Sequence, residues 1–255
     1  MSSALRVTRE ERVALLVFDA PEKRNPLTEP LMHEYAAAIE DIRGDGDVRA
    51  VVLASNGPAF SAGGDMTMLE EQLSLPPEEN RQRMGRFYRR YLTGLSLDVP
   101  TIAAIGGDAI GAGLTIALSY DIRIVAEKAR LGFTFLSLGL HPGMGTTHLL
   151  PLLVGDARAA ELIFTGKLIS GSESVDIGLA NCAVPAERVL ETAMTMAREI
   201  AAKPPQAMRL AKRALVQRKL QGLEAALDYE AMAQMNGFAS DEMRAIIESW
   251  RNRKR

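Results

Sequence analysis

Two segments of this chain follow one plan: a β-rich apolar run, a glycine-rich turn, then a helix-like stretch. Val51-Val52-Leu53 leads to Phe60-Ser61-Ala62-Gly63-Gly64-Asp65, and Thr101-Ile102-Ala103-Ala104-Ile105 leads to Gly106-Gly107-Asp108-Ala109-Ile110-Gly111-Ala112-Gly113. Strands that alternate with helices in this way argue for an α/β fold with largely parallel pairing. Gly63 and Gly64 carry no Cβ, so their backbone can approach a ligand closely. Ala112 stands at the start of a helix, where its N–H has no intrahelical partner and the helix dipole adds positive potential. Two such turns can aim two N–H groups at one oxygen, the arrangement that stabilises an oxyanion. Taken alone, the same residues also read as two tight turns with no ligand.

The rest of the chain fits this frame. Val13–Phe18 reads as a strand closed by Asp19-Ala20-Pro21. Thr28 is placed to cap a helix over Glu29–Ile42, which Gly44-Asp45-Gly46-Asp47 stops. Arg49–Ala54 reads as a buried strand. Residues 78–95 are polar with helical spacing; Met84, Phe87, Tyr88 and Tyr91 form one stripe, read as core packing, with a lid over a ligand as the other reading. Ala112–Tyr120 reads as a small-residue helix and Asp121–Ala126 as a strand, with a short helix over Ser172–Gly178 and a short strand over Ala180–Val184. From Pro185 onward the pattern is helical, with breaks expected at Lys203-Pro204-Pro205 and at Asn236-Gly237. The division expected is a core over residues 1–194 and a helical region over 195–255. Its methionines (Met194, Met196, Met208, Met232, Met235, Met243) either face a partner subunit or pack on their own core.

Composition narrows the function. The 255 residues are 47% hydrophobic and 24% charged, ordinary values for a globular chain with a sizeable core. A net charge of −2 gives no global positive field for nucleic acid. Cys182 is the single cysteine, which excludes an internal disulfide framework, and His33, His141 and His148 are too dispersed for a metal motif. No apolar run reaches the roughly 18–20 residues that span a bilayer, and the first residues lack a signal-peptide core. A cytoplasmic protein that binds neither membrane nor nucleic acid is the expectation.

Further motifs stand in order with the glycine turns: Asp121-Ile122-Arg123-Ile124, Leu138-Gly139-Leu140-His141-Pro142-Gly143, Leu153-Val154-Gly155-Asp156-Ala157-Arg158-Ala159, Thr165-Gly166-Lys167-Leu168-Ile169-Ser170 and Gly178-Leu179-Ala180. Together they resemble the crotonase (enoyl-CoA hydratase/isomerase) family over about residues 5–254. The resemblance implies an α/β spiral of ββα units followed by a helical trimerisation region, in a homotrimer or a hexamer. It implies a CoA thioester as substrate or ligand, with no further cofactor and no metal. Gly64 and Ala112 match the two oxyanion-hole positions, which would hold the oxygen of a thioester enolate. Ala62, Asp65, Met66 and Thr67 match the strip along which CoA lies. Lys23 matches a basic position near the CoA phosphates, and Arg253 a C-terminal lysine that reaches a neighbouring subunit's CoA.

The chain departs from the family pattern where hydratases carry their two catalytic glutamates. Those positions here are Thr115 and Phe135, and neither side chain is a carboxylate base. An aspartate that some relatives use instead falls at Gly143. Adding water to a double bond needs one group to activate the water and one to deliver a proton. The remaining candidates for proton transfer are His141, beside Pro142, and Asp108, in the second glycine turn; each also reads as a turn-stabilising residue. His148 is read as structural, and Glu70 and Glu71 as a solvated helix face. The expectation is therefore an acyl-CoA-processing enzyme that stabilises an enolate, by isomerase or lyase-type chemistry in preference to standard hydration. The alternative is a non-catalytic acyl-CoA carrier or sensor. A structural or RNA-binding role is a third reading, which the charge balance opposes.

Overall fold

The computed structural model describes the backbone of residues 3–254 and the side chains of residues 3–252. In chain order the first half contains β1 (Leu5–Glu10), β2 (Val13–Phe18), α1 (Glu29–Gly44), β3 (Ala50–Ser55), β4 (Ala59–Ser61), α2 (Met66–Gln72), α3 (Pro77–Tyr91), β5 (Thr101–Ile105), β6 (Asp108–Ile110), α4 (Ala112–Ser119), β7 (Ile122–Ala126) and β8 (Arg130–Gly132). Then follow α5 (Thr146–Val154), α6 (Asp156–Thr165), β9 (Ile169–Ser170), α7 (Gly171–Asp176), β10 (Cys182–Val184), α8 (Val189–Ala201), α9 (Pro205–Leu220), α10 (Leu223–Phe238) and α11 (Asp241–Lys254).

The strands form two sheets. One has the order β1-β2-β3-β5-β7-β10 and is parallel except for the β1–β2 hairpin. The other has the order β4-β6-β8-β9, with only β9 antiparallel. Each of the pairs β3–β4, β5–β6 and β7–β8 contributes one strand to each sheet, so the chain climbs as a spiral of β-β-helix turns. β3 and β5 are buried on both faces, which is why they read as unbroken apolar runs.

Local signals account for most element boundaries. Thr28 accepts from the Leu31 N–H at 3.2 Å and caps α1, which ends two residues later than the sequence pattern indicates. The stripe Met84, Phe87, Tyr88 and Tyr91 is buried, and α3 ends at Tyr91 in a 3₁₀ turn instead of running to residue 95. The break expected at Asn236-Gly237 is absent. A Cβ on Gly237 would lie 3.0 Å from Gly139 O, so this glycine serves close packing of an unbroken α10. The breaks fall at Gly222, with φ +88°, and at Ser240, whose hydroxyl accepts from the Met243 N–H at 3.2 Å. The 194/195 division cuts α8, which packs on β2, β3, β5 and β7. Met194 and Met243 are buried, Met196, Met208 and Met235 half-buried, and Met232 exposed.

α4 is buried along its whole length, so the carbonyls at its C-terminal end need partners from outside the helix. Arg123 Nη1 donates to Tyr120 O at 2.8 Å and Ala117 O at 3.3 Å, and its Nε to Leu179 O at 2.7 Å. Lys219 Nζ donates to Tyr120 O at 2.6 Å and Ser119 O at 3.1 Å. The Asp121 carboxylate, 4.0 Å from Lys219 Nζ, offsets part of this charge and also accepts from Lys212 Nζ at 2.6 and 2.7 Å. Burial lowers the Arg123 guanidinium to about 10 and the Lys219 ammonium to about 7. Between pH 7 and pH 10.5 the unfolded chain keeps the Lys219 proton that the folded chain has released. The Lys219 contribution to stability therefore rises with pH across this window and is flat below it. Thermal unfolding of the parent and of Lys219→Met from pH 7 to pH 9.5 should show the parent gaining stability relative to the variant as pH rises.

Candidate active site

The two glycine turns meet. Gly63 has φ +91°, and a Cβ there would lie 2.7 Å from Ile110 O and 3.6 Å from Ala112 N. A Cβ on Gly113 would lie 2.6 Å from Ser61 O. Parallel pairing of β4 with β6 brings the turns to this contact, and the glycines permit it. The first turn is also held from the N-terminal side, where Leu27 N donates to Gly63 O at 2.8 Å and Ala62 N to Arg24 O at 2.9 Å. The buried Asn25 side chain accepts from Ala20 N and donates to Asn56 O and Ala59 O, each at 2.8 Å, fixing that loop. Among the described residues, neither the Gly64 N–H nor the Ala112 N–H has a hydrogen-bond acceptor. Ala112 is the first residue of α4, so its N–H sits at the positive end of a helix whose other end carries two cations.

Both turns open on a cavity of about 660 Å³. Gly64, Ala112, Lys23, Ala62, Asp65, Met66, Thr67 and Phe135 all line it. The exposed Glu22, Lys23, Ala62 and Thr67 form its rim. The Asp65 carboxylate accepts from Met68 N at 3.0 Å and caps α2, while the same residue borders the cavity. Phe135, Leu140, Met84 and Phe87 make the inner wall apolar. Glu22 and Asp65 are the only carboxylates among the described lining residues.

The positions that differ from the family pattern are filled in specific ways. Thr115 is fully buried, with its hydroxyl 2.7 Å from that of Thr146 and 3.1 Å from Gly111 O. Thr146 donates to Gly143 O at 2.7 Å, so Thr115 must donate to either Thr146 or Gly111. The pair ties α4 to the first residue of α5. At Gly143 a Cβ would fall 2.6 Å from the Tyr88 hydroxyl oxygen and 2.9 Å from Gln234 Nε2, so those two side chains fill the space a larger residue would need.

The two candidates for proton transfer lie outside the cavity lining. His141 Nδ1 is 2.7 Å from Pro142 O, and its ring meets Tyr229 edge-on at 5.6 Å. The Asp108 carboxylate accepts from Arg130 N at 2.9 Å and pairs with the Arg130 guanidinium, which holds it below its usual range. Asp108 thus joins β6 to β8, and His141 packs in its turn against Tyr229. His148 Nε2 lies 2.9 Å from Lys219 O, a structural contact. Glu70 pairs with Arg251 and Glu71 with Arg83, so these two are ion-paired and not simply solvated. The Arg253 side chain lies outside the described residues, but α11 packs against its own chain: Trp250 lines the cavity and Arg251 reaches α2. Among the described residues no cluster of three or more His, Cys, Asp or Glu side chains is arranged to hold a metal.

Three residues of the cavity escape sequence reasoning as site residues. Trp250 and Gln234 come from helices whose pattern signals only packing. Tyr88 belongs to the apolar stripe, and only its hydroxyl sets it apart. Tyr88 is 1% and Gln234 3% exposed. Among the described residues, the Tyr88 hydroxyl and Gln234 Oε1 have no hydrogen-bond partner, although leaving such a group unpaired typically costs about 1–3 kcal/mol. Burial, and then the Glu230 charge, push the Tyr88 hydroxyl well above its ordinary value, so it stays protonated. Glu230 accepts from Gly145 N at 2.6 Å and Thr147 N at 2.9 Å, two N–H groups at the start of α5. Burial raises its carboxyl despite these bonds.

Comparison with known proteins identifies the family of this parallel β-β-helix spiral, with its two glycine turns above an apolar cavity. The enoyl-CoA hydratase/isomerase family model matches residues 8–255. A short-chain-enoyl-CoA hydratase of Clostridium acetobutylicum is 34% identical over 245 residues, 94% of this chain and 93% of the relative. The crystal structure of an enoyl-CoA hydratase/isomerase from Mycobacterium paratuberculosis superposes with a TM-score of 0.90 at 28% identity, covering 98% of this chain and 99% of that one. Pseudomonas aeruginosa OdaA superposes with a TM-score of 0.87 at 31% identity, covering 98% and 99%. The chain belongs to the enoyl-CoA hydratase/isomerase family and is an acyl-CoA-processing enzyme of that family.

Closure of the two turns should be sensitive to a single methyl group. Gly63→Ala forces a Cβ against Ile110 O in a left-handed conformation, and urea unfolding should show a loss of about 1–3 kcal/mol. Affinity for a CoA ester should fall in parallel.

Proposed function

We propose that the protein holds an acyl-CoA thioester with its carbonyl oxygen between the Gly64 and Ala112 N–H groups, and that these stabilise the enolate formed at that thioester. The observation that carries this reading is the convergence of two N–H groups without acceptors on one apolar cavity. A low-dielectric wall strengthens their attraction for developing negative charge. Lys23, Ala62, Asp65, Met66 and Thr67 lie along the rim where the CoA moiety would run. The reaction is isomerase or lyase-type in preference to standard hydration. Hydration needs a base to activate water, and Thr115 and Phe135 leave the inner wall without a carboxylate. A lyase-type cleavage whose electrons pass directly into the thioester meets this condition best, because it reaches the enolate without a protein base.

A non-catalytic acyl-CoA carrier or sensor is the second reading, favoured by the outward placement of His141 and Asp108. Assembly into a trimer or hexamer is consistent with the exposed Leu210, Leu215 and Leu220 on α9.

Ala112→Pro tests the cradle, because proline is tolerated at the first position of a helix and replaces the N–H by a ring methylene. With a panel of enoyl-, dienoyl-, β-hydroxyacyl-, β-ketoacyl- and malonyl-type CoA thioesters, the parent should turn over at least one. The variant should lose about 10²–10³ in rate with a smaller change in affinity. Binding without turnover of any thioester would leave the carrier reading in its place.

A further inference from the structure

The cavity holds two buried polar atoms that the proposed thioester cradle does not use. The Tyr88 hydroxyl comes from α3 and Gln234 Oε1 from α10, and both side chains crowd the same face of Gly143. The orientation of the Gln234 amide is set by its own bonding: Nε2 donates to His141 O at 2.7 Å, an oxygen that only accepts, so Oε1 is the atom left over. Tyr88 retains its proton in this surrounding and supplies a donor. The site therefore offers one donor and one acceptor, with no charge of its own. Anionic groups are disfavoured by the exposed lone pairs of Oε1 and by Glu230 nearby, and a cation finds no carboxylate among these side chains. A hydroxyl group satisfies both atoms at once, because its oxygen accepts from Tyr88 while its proton goes to Gln234.

We propose that Tyr88 Oη and Gln234 Oε1 form a subsite for a neutral hydroxyl oxygen at the acyl end of the cavity, carried by a hydroxylated acyl chain or by a bound water. The acyl-chain form rests on the reading that the cavity takes an acyl-CoA; the water form does not. Tyr88 and Gln234 are then positioning residues for specificity. A site built to hydrogen-bond a hydroxyl discriminates strongly against the analogue that lacks it, because its own polar groups would stay unpaired.

Titration calorimetry with butyryl-CoA, 3-hydroxybutyryl-CoA and 4-hydroxybutyryl-CoA tests the acyl-chain source. The parent should bind one of the hydroxyacyl esters about 10-fold or more tightly than butyryl-CoA. Tyr88→Phe and Gln234→Met should each abolish that preference. A crystal structure of the unliganded protein tests the water source: a water should bridge the two atoms and be lost in Tyr88→Phe. No hydroxyl preference together with no bridging water, or a preference that survives both substitutions, overturns the proposal. Failure to bind any CoA ester refutes the proposed function alone, and the bridging water then decides the subsite.

Discussion

A helix buried along its whole length must have both ends satisfied from outside, and α4 is the element on which this structure turns. Its C-terminal carbonyls are held by Arg123 and Lys219, drawn from water into the core beside the Asp121 carboxylate, which also pairs with Lys212. That clamp fixes where α4 ends and hence where it begins. At the beginning the helix presents the Ala112 N–H to the cavity, beside Gly64. Positive potential at the functional end and positive side chains at the structural end act on one dipole in complementary ways. The arrangement sets the position of one turn, and β4–β6 pairing brings the other to it.

The start of α5 is built on a related rule with the sign reversed. Here a buried acid, Glu230, takes the orphan N–H groups of Gly145 and Thr147. This fixes the Gly143–Met144 segment, on which Tyr88 and Gln234 converge. The Thr115–Thr146 bond joins the two helix systems. Thr115 thus serves as a tie between two helices, and Phe135 as apolar wall.

Sequence and structure agree most closely where the determinant is local. The strand–glycine–helix repeats, the Thr28 cap and the buried stripe of α3 each rest on residues a few positions apart, and each is found as expected. The placement of Gly64, Ala112 and the rim residues around one cavity also followed the sequence motifs. Agreement fails where a side chain's direction depends on distant neighbours. Asp108 turns to Arg130 and the His141 ring to Tyr229, and nothing nearby in sequence encodes those choices. Gly237 was expected to end a helix, but its role is set by Gly139, about a hundred residues earlier in the chain. Tyr88 and Gln234 were missed because periodicity reports that a helix face is buried, not whether a polar atom on that face meets a partner.

The cavity wall is drawn from both ends of the chain: Lys23 near the beginning and Trp250 near the end, with Arg251 of α11 reaching back to Glu70. During synthesis the glycine turns and α4 leave the ribosome well before α10 and α11 exist. A nascent chain that has emerged as far as residue 220 carries the turns but lacks Gln234 and Trp250. The order of the sequence thus delays completion of the cavity wall until α10 and α11 dock.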